Sequence, residues 1–402
     1  MINLELSKQH QEMYDNLLQV SEHMMRPYSR KYDKEEHSYP KEMEEVSKLM
    51  AGARSERNDD AKAAPAAKDT SNKNGSNMLG VTGSEAFCWG DVGLMLGRPG
   101  SGLGNAAISA VGTPEQVEKY GSSYAAMCIT EPGTGSDSAN ISTTAVADGS
   151  EWVLNGEKIF VTDGQRSDTL VVWATLDKSL GKAAIKSFIV EKGTPGCEVT
   201  RLEHKMGIRA SDTAAISFTD CRIPKSNILG NPNIATNAEE RKKAFGGVMQ
   251  TFDNTRPPVA AMSLGVGRAA LDLTREMLAR EGVELSFDKK PCNQSAIKAE
   301  LHSMEAEWNA ARLLVQKAAW MADNKQANSM EASMCKAKAG RMGNYVTLRC
   351  VELCQSLGYS ENELLEKFAR DSKILDIFEG TQQIQQLIVA RRLLGKSSSE
   401  LK

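Results

Sequence analysis

The residues whose types and spacing best suit acid and base chemistry lie near the end of the chain, in Arg370-Asp371-Ser372-Lys373-Ile374-Leu375-Asp376-Ile377-Phe378-Glu379-Gly380-Thr381-Gln382-Gln383-Ile384-Gln385-Gln386. The pattern predicts a helix closing on Lys373 and Ile374, a Glu-Gly-Thr turn, and a second helix opened by Gln382. The apolar positions of that helix, Ile384, Leu387, Ile388 and Leu394, recur at helical spacing. Ile377 and Phe378 give Glu379 an apolar neighbourhood, which raises a carboxylate's pKa towards working pH and so makes a general base. Gly380 allows close backbone approach to a ligand. A lone Glu here would read better as an acidic residue favoured by a helix start.

Other candidates have bland readings beside the chemical ones. Asp253 and Arg256, in Phe252-Asp253-Asn254-Thr255-Arg256-Pro257, have the i,i+3 spacing of an ordinary helical ion pair. Gly102-Leu103-Gly104-Asn105-Ala106-Ala107 matches G-x-G-x-x-A, but a dinucleotide fingerprint needs a strand immediately before it. Residues 91–96 make a poor strand, and Pro99 intervenes. The glycines read better as letting a helix pack closely beside a cofactor or acyl chain. Eight cysteines form no C-x-x-C pair, and Cys350 and Cys354, with no nearby His, read as buried thiols, so no metal site is expected. Tyr14, Tyr28, Tyr32 and Tyr39 read as packing residues at helix ends.

The elements that must position these residues fall into three blocks. Residues 1–123 read as helical, with a break at Pro27, a second helix after Pro40, and a short helix capped by Thr113-Pro114-Glu115-Gln116. Within that block, 51–77 carries almost no large apolar residue and reads as a solvated loop insert. Residues 124–235 read as a small antiparallel β domain, with Asn155-Gly156 as a hairpin turn and strands near 169–176, 186–190, 197–202 and 214–220. Residues 236–402 read as long helices near 240–281, 294–323 and 328–357, a short one near 361–372 and the last from Gln382, in a four-helix bundle. The expected fold is therefore mostly α with a central β domain.

At 402 residues and 41% hydrophobic content, the chain can hold two or three cores. Its net charge of −3 argues against a nucleic-acid partner. No basic, apolar leader opens the chain and no run approaches a membrane span, so a soluble cytoplasmic protein is expected.

The R-D-x-K-I-x-x-I-x-E-G-T segment around Glu379 resembles one carried by the acyl-CoA dehydrogenase family. So do Met127-Cys128-Ile129-Thr130-Glu131-Pro132-Gly133-Thr134-Gly135-Ser136-Asp137 and Asn155-Gly156-Glu157-Lys158-Ile159-Phe160-Val161-Thr162-Asp163-Gly164. The resemblance runs from about residue 110 to 395 and implies an FAD enzyme that dehydrogenates an acyl-CoA thioester between Cα and Cβ. Glu379 would be the base. By position, Met127, Ile129, Thr130, Ser136, Phe160 and Thr162 would contact the flavin, with Thr381 and Gln383 touching FAD beside the base. Ser136, Asp253, Arg256 and Gly380 would line the substrate channel, and Lys182 and Lys186 are candidates for coenzyme A phosphates. An isoalloxazine needs one apolar wall and donors along its edge, which Met127-Cys128-Ile129-Thr130 with Ser136, Phe160 and Thr162 supply.

The resemblance also implies an electron-transferring flavoprotein as acceptor and a dimeric or tetrameric assembly. An oxygen-reducing acyl-CoA oxidase, a nicotinamide dehydrogenase using Gly102 to Ala107, and a non-catalytic subunit are the competing classes. Relatives commonly carry an R-x-x-F-G segment that reaches a neighbour's FAD diphosphate. This chain has Gly282-Val283-Glu284-Leu285-Ser286-Phe287-Asp288-Lys289 instead, and the later G-G-x-G turn is reduced to Gln355-Ser356-Leu357-Gly358-Tyr359-Ser360. The missing Arg points to a hetero-oligomer sharing its flavins between unlike chains. The alternative is a homo-oligomer whose diphosphate meets Lys289, Lys290 or backbone donors.

Overall fold

The computed structural model describes residues 2–49, 74–100, 102–234, 238–283, 290–397 and 400, with side chains of the helix that begins at Ala238 described from Thr255 onward. Helix limits follow local chemistry. Ser7 caps α1 (Lys8–Met24) by accepting from His10 N–H, and Pro27 sits in a 3-10 turn between α1 and α2 (Ser29–Lys34). A third helix, α3, covers 42–49. α4 (Ser76–Gly90) and α5 (Val92–Leu96) meet at Asp91, whose carboxylate accepts from Leu94 N–H at 2.8 Å.

The loop expected over 51–77 lies outside the described residues as far as Lys73. Its last residues are ordered, because the Asp323 carboxylate accepts from Gly75 N–H at 2.7 Å, Asn77 N–H at 2.9 Å and Met78 N–H at 3.0 Å. These are donors that the first turn of α4 leaves unpaired.

α6 (Leu103–Val111) carries the Gly102–Ala107 run. A side chain on Gly102 would come within 2.4 Å of the Ala125 carbonyl, and one on Gly104 within 2.6 Å of the Ala126 carbonyl. The glycines therefore seat a helix against a strand backbone, and among the described residues no strand precedes them as a dinucleotide fold requires. In α7 (Pro114–Tyr120), Thr113 and Gln116 form the expected reciprocal cap.

Seven strands follow: β1 (Ala125–Cys128), β2 (Thr144–Asp148), β3 (Glu151–Thr162), β4 (Thr169–Thr175), β5 (Ile185–Glu191), β6 (Cys197–Leu202) and β7 (Thr213–Pro224). They form one sheet in the order β1-β4-β2-β3-β7-β6, with β5 also on β4. Two contacts depart from the antiparallel expectation, since β1 and β2 both run parallel to β4. The hairpin turn also falls elsewhere. Asp148 pairs with Glu151 across Gly149-Ser150, while Asn155-Gly156 lies inside β3 at a register shift. A side chain on Gly156 would lie 2.5 Å from the Thr143 hydroxyl, so this glycine serves close approach rather than a turn. Ile216 and Phe218 are buried while Thr219 is exposed, as alternation requires.

The elements described beyond the sheet are helical: α8 (Ala238–Arg280), α9 (Ala296–Asp323), α10 (Ser329–Leu353), α11 (Gln355–Tyr359), α12 (Leu365–Ser372) and α13 (Gln382–Leu394). One apolar cluster joins α4, α8, α9, α10 and α12 through Val81, Leu264, Trp308, Met342 and Phe368; the sheet has its own around Leu154, Val172 and Phe188. The expected boundary at 235/236 and the segment 284–289, with Lys289, lie outside the described residues.

A buried charge cluster joins the blocks. Lys367 Nζ lies 2.7 Å from Asp91 Oδ2 and 2.5 Å from Asp371 Oδ2, with all three side chains at most 2% exposed. Asp371 Oδ1 accepts from Ile208 N–H at 2.6 Å, which brings in the β6–β7 connection. Burial alone would lower the Lys367 pKa, but the two carboxylates outweigh it and hold the ammonium charged. Breaking such a cluster leaves uncompensated buried charge, at a cost of roughly 3–5 kcal/mol. Lys367→Met is therefore expected to lower the thermal midpoint by several degrees, and an unchanged melting curve would remove this cluster's structural role.

Candidate active site

Glu379 stands between the 3-10 turn Lys373–Asp376 and α13, with φ +54 followed by +93 at Gly380. Left-handed backbone at a non-glycine residue costs of order 1–3 kcal/mol and persists only where surroundings enforce it. Gln385 Nε2 donates to the Glu379 carbonyl at 3.0 Å and to the Gly380 carbonyl at 3.2 Å. Lys336 Nζ, from α10, donates to the Gly380 carbonyl at 2.7 Å. Gln382 Nε2 donates to the Ala337 carbonyl at 3.0 Å, and Thr381 caps α13 by accepting from Ile384 N–H.

The carboxylate is held from α8, where the Thr255 hydroxyl donates to Glu379 Oε2 at 2.9 Å. Burial raises the Glu379 pKa, only partly offset by the Thr255 hydroxyl and the Arg256 and Lys336 cations. Lys336 is pushed the other way: burial lowers it to about 8 despite Asp376 and Glu379. Arg256 is buried, with its guanidinium 3.5 Å from the Ser333 hydroxyl. The Asp253 side chain lies outside those described. No described residue accepts from the Glu379 backbone N–H.

The sheet gathers a second group. Lys158 is buried against Glu131 at 2.8 Å and donates to the Ile129 carbonyl at 3.0 Å, while Ile159 N–H donates to the Thr130 carbonyl at 2.9 Å. These contacts fix Met127, Ile129 and Thr130, at the end of β1, against β3, which carries Phe160 and Thr162. Phe160 is 60% exposed with φ +55. The side-chain hydroxyls of Thr130 and Thr162 make no hydrogen bond to another described residue, nor does that of Ser136 on an exposed loop. An exposed ring in strained backbone, with the unspent Thr162 hydroxyl two positions along the same strand, fits a flat heteroaromatic cofactor.

Thr381 is partly buried at the start of α13, and Gln383 is exposed one position into it. Lys186 is already engaged, donating to the Asn231 and Asn233 carbonyls, whereas Lys182 is exposed. The sequence reading missed Lys336 and Gln385. Lys336 had a signal, since it sits on the stripe Ala332, Cys335, Ala339 and Met342, where a lysine must find a partner.

Comparison with known proteins gives the class. Models of the acyl-CoA dehydrogenase middle domain and C-terminal domain match residues 126–221 and 245–394. Subunit CarC of the caffeyl-CoA reductase-Etf complex of Acetobacterium woodii is 35% identical over 337 residues, 82% of this chain and 86% of that one. The mitochondrial short-chain specific acyl-CoA dehydrogenase of Bos taurus is 36% identical over 293 residues, 71% of this chain and 68% of that one. The solved butyryl-CoA dehydrogenase of Megasphaera elsdenii superimposes with a TM-score of 0.82 at 30% identity, covering 98% of this chain and 100% of that one. The chain belongs to the acyl-CoA dehydrogenase family, whose members are oxidoreductases and FAD flavoproteins.

The turn itself is open to test. A methyl on Gly380 would come within 2.5 Å of Gln385 Nε2, the donor that holds both carbonyls. Gly380→Ala is expected to destabilise the protein by about 1–3 kcal/mol. Unaltered thermal unfolding would show that the turn is not constrained in this way.

Proposed function

We propose that this chain catalyses FAD-dependent α,β-dehydrogenation of an acyl-CoA thioester to the trans-2-enoyl-CoA, with Glu379 as the α-proton base. The observation that carries the reading is the Glu379 carboxylate itself, raised by burial, oriented by Thr255 and set on a turn clamped by Lys336 and Gln385. Thr255 occupies Oε2 and leaves Oε1 to take the α-proton. The unpaired Glu379 N–H is a donor for the thioester carbonyl oxygen, where negative charge grows as that proton leaves. Met127, Ile129, Thr130, Ser136, Phe160 and Thr162, with Thr381 and Gln383, would hold FAD, which supplies the acceptor for the hydride that leaves Cβ. Arg256 and Gly380, with Asp253, would line the substrate side. An acyl-CoA oxidase or a non-catalytic subunit are the alternatives.

A second reading is favoured by the relative named as a caffeyl-CoA reductase subunit. The same groups can run in reverse, Glu379 then returning a proton to Cα of an enoyl thioester. That relative's complex with Etf also supports an electron-transferring flavoprotein as this chain's electron partner.

Glu379→Gln is expected to bind flavin normally and to lose bleaching by acyl-CoA in single-turnover absorbance measurements. Bleaching at wild-type rate in that variant removes Glu379 from the mechanism. Because the base must be ionised, bleaching rises with pH through the raised Glu379 pKa. Thr255→Val deletes a group that lowers this pKa, so its profile should move alkaline.

The assembly we favour is a hetero-oligomer in which unlike chains share each FAD. It rests on the absent Arg, which would pair bidentately with a diphosphate. Expressed alone, the chain should then hold well under one FAD per subunit. A full complement with unaided acyl-CoA oxidation would instead establish a self-sufficient homo-oligomer.

A further inference from the structure

Away from the acyl-CoA site, Glu36 and His37 lie in the turn after α2, and His204 lies 168 residues beyond Glu36 in the connection from β6 to β7. Glu36 Oε2 is 2.9 Å from His204 Nδ1, and Glu36 Oε1 is 3.8 Å from His37 Nε2. One ligand atom from each of the three residues lies within 4.8 Å of the others. Tetrahedral coordination at 2.0–2.1 Å places neighbouring ligand atoms about 3.3 Å apart; here each imidazole meets a different oxygen of the Glu36 carboxylate, the 2.9 Å contact being a hydrogen bond that a bound ion would replace.

Adjacent residues in extended backbone point to opposite sides, yet Glu36 and His37 face one point. The His37 backbone makes this possible with φ +66. It is held there independently of the ring: His37 N–H donates to the Arg209 carbonyl at 3.1 Å, and Arg166 donates to the carbonyls of His37 at 3.1 Å and Ser38 at 2.9 Å.

The His37 side chain is only 13% exposed, and neither ring nitrogen has a hydrogen-bond partner. Buried imidazole nitrogens are normally paired, and Nε2, the one that faces Glu36, is open to a ligand. Glu36 Oε1 also accepts from Lys205 N–H at 2.8 Å, which fixes the carboxylate. The Lys205 ammonium is engaged with the Ser211 carbonyl at 2.7 Å. His204 is 88% exposed, which leaves its ring able to turn and the point reachable from solvent.

We infer that Glu36, His37 and His204 form a binding site for a divalent zinc-type cation that ties the N-terminal helices to the sheet. Two imidazoles and one carboxylate suit zinc and its first-row neighbours rather than calcium or magnesium, with solvent completing the shell. Because Glu36-His37 and His204 come from different blocks, a bound ion links elements far apart in sequence.

The test uses the full chain, stripped with chelator and titrated with zinc chloride by calorimetry and thermal denaturation. One saturable site per chain and a raised thermal midpoint are expected. His204→Ala, which removes an exposed side chain, should weaken that site at least about tenfold and abolish the thermal gain, as judged from what lost metal-site partners cost. Cys292→Ser, which removes an exposed thiol, should leave both unchanged. Absence of saturable uptake, or equal affinity in His204→Ala, overturns the site.

Discussion

The contact on which the arrangement of the molecule depends is the Lys367 ammonium between Asp91 and Asp371. One charged side chain from α12 meets the start of α5, and the second carboxylate reaches the β6–β7 connection through Ile208 N–H. Gly207 lets that connection pass, since any side chain there would come within 2.5 Å of the Arg370 backbone. Arg370 adds a fork onto Asp33 of α2 at 3.0 and 2.6 Å and a bond to the Met206 carbonyl at 2.9 Å. Helical and sheet segments are thus fixed to one another within a few residues of the turn that carries Glu379.

That rigidity explains how strained backbone survives at Phe160 and Glu379. Each has positive φ and each is bracketed by contacts: the bonds of its strand neighbours Lys158 and Ile159 to Ile129 and Thr130 in the case of Phe160, and those from Lys336, Gln385 and Thr255 in the case of Glu379. Residues whose own preferences oppose their conformation are kept there by partners with no such conflict. The side chains thereby presented, an exposed ring and a carboxylate raised by burial, are those that the proposed flavin-dependent thioester oxidation would use.

The helices were legible because their signals are local. Thr113 and Gln116 cap α7, and Gln382 opens α13 as its spacing predicts. The sheet was legible in position but not in pairing, since Asn155-Gly156 carries a turn signature while Gly156 actually answers the approach of Thr143. Glu379 and the hydroxyls of Thr130, Ser136 and Thr162 are proposed from motif and residue type, whereas Lys336 and Gln385 enter only through the contacts they make to the Glu379 turn. Lys336 shows in the sequence only as a lysine on a buried helix stripe that needs a partner, and Gln385 contacts backbone carbonyls, which leaves no spacing rule there. The same holds for Arg370-Asp371, whose work as a joint is visible only when Asp33, Asp91 and Ile208 are beside it. His37 and His204 escaped notice for a related reason, since no metal-ligand spacing links them.

Asp323 carries a different kind of consequence. Its buried carboxylate takes the backbone N–H groups of Gly75, Asn77 and Met78 and also the Asn77 side-chain amide. The start of α4 is thus set by a residue on α9. A change at Asp323 is therefore felt at the first turn of α4, 246 residues earlier in the chain, so the two ends of this contact have to vary together through a lineage.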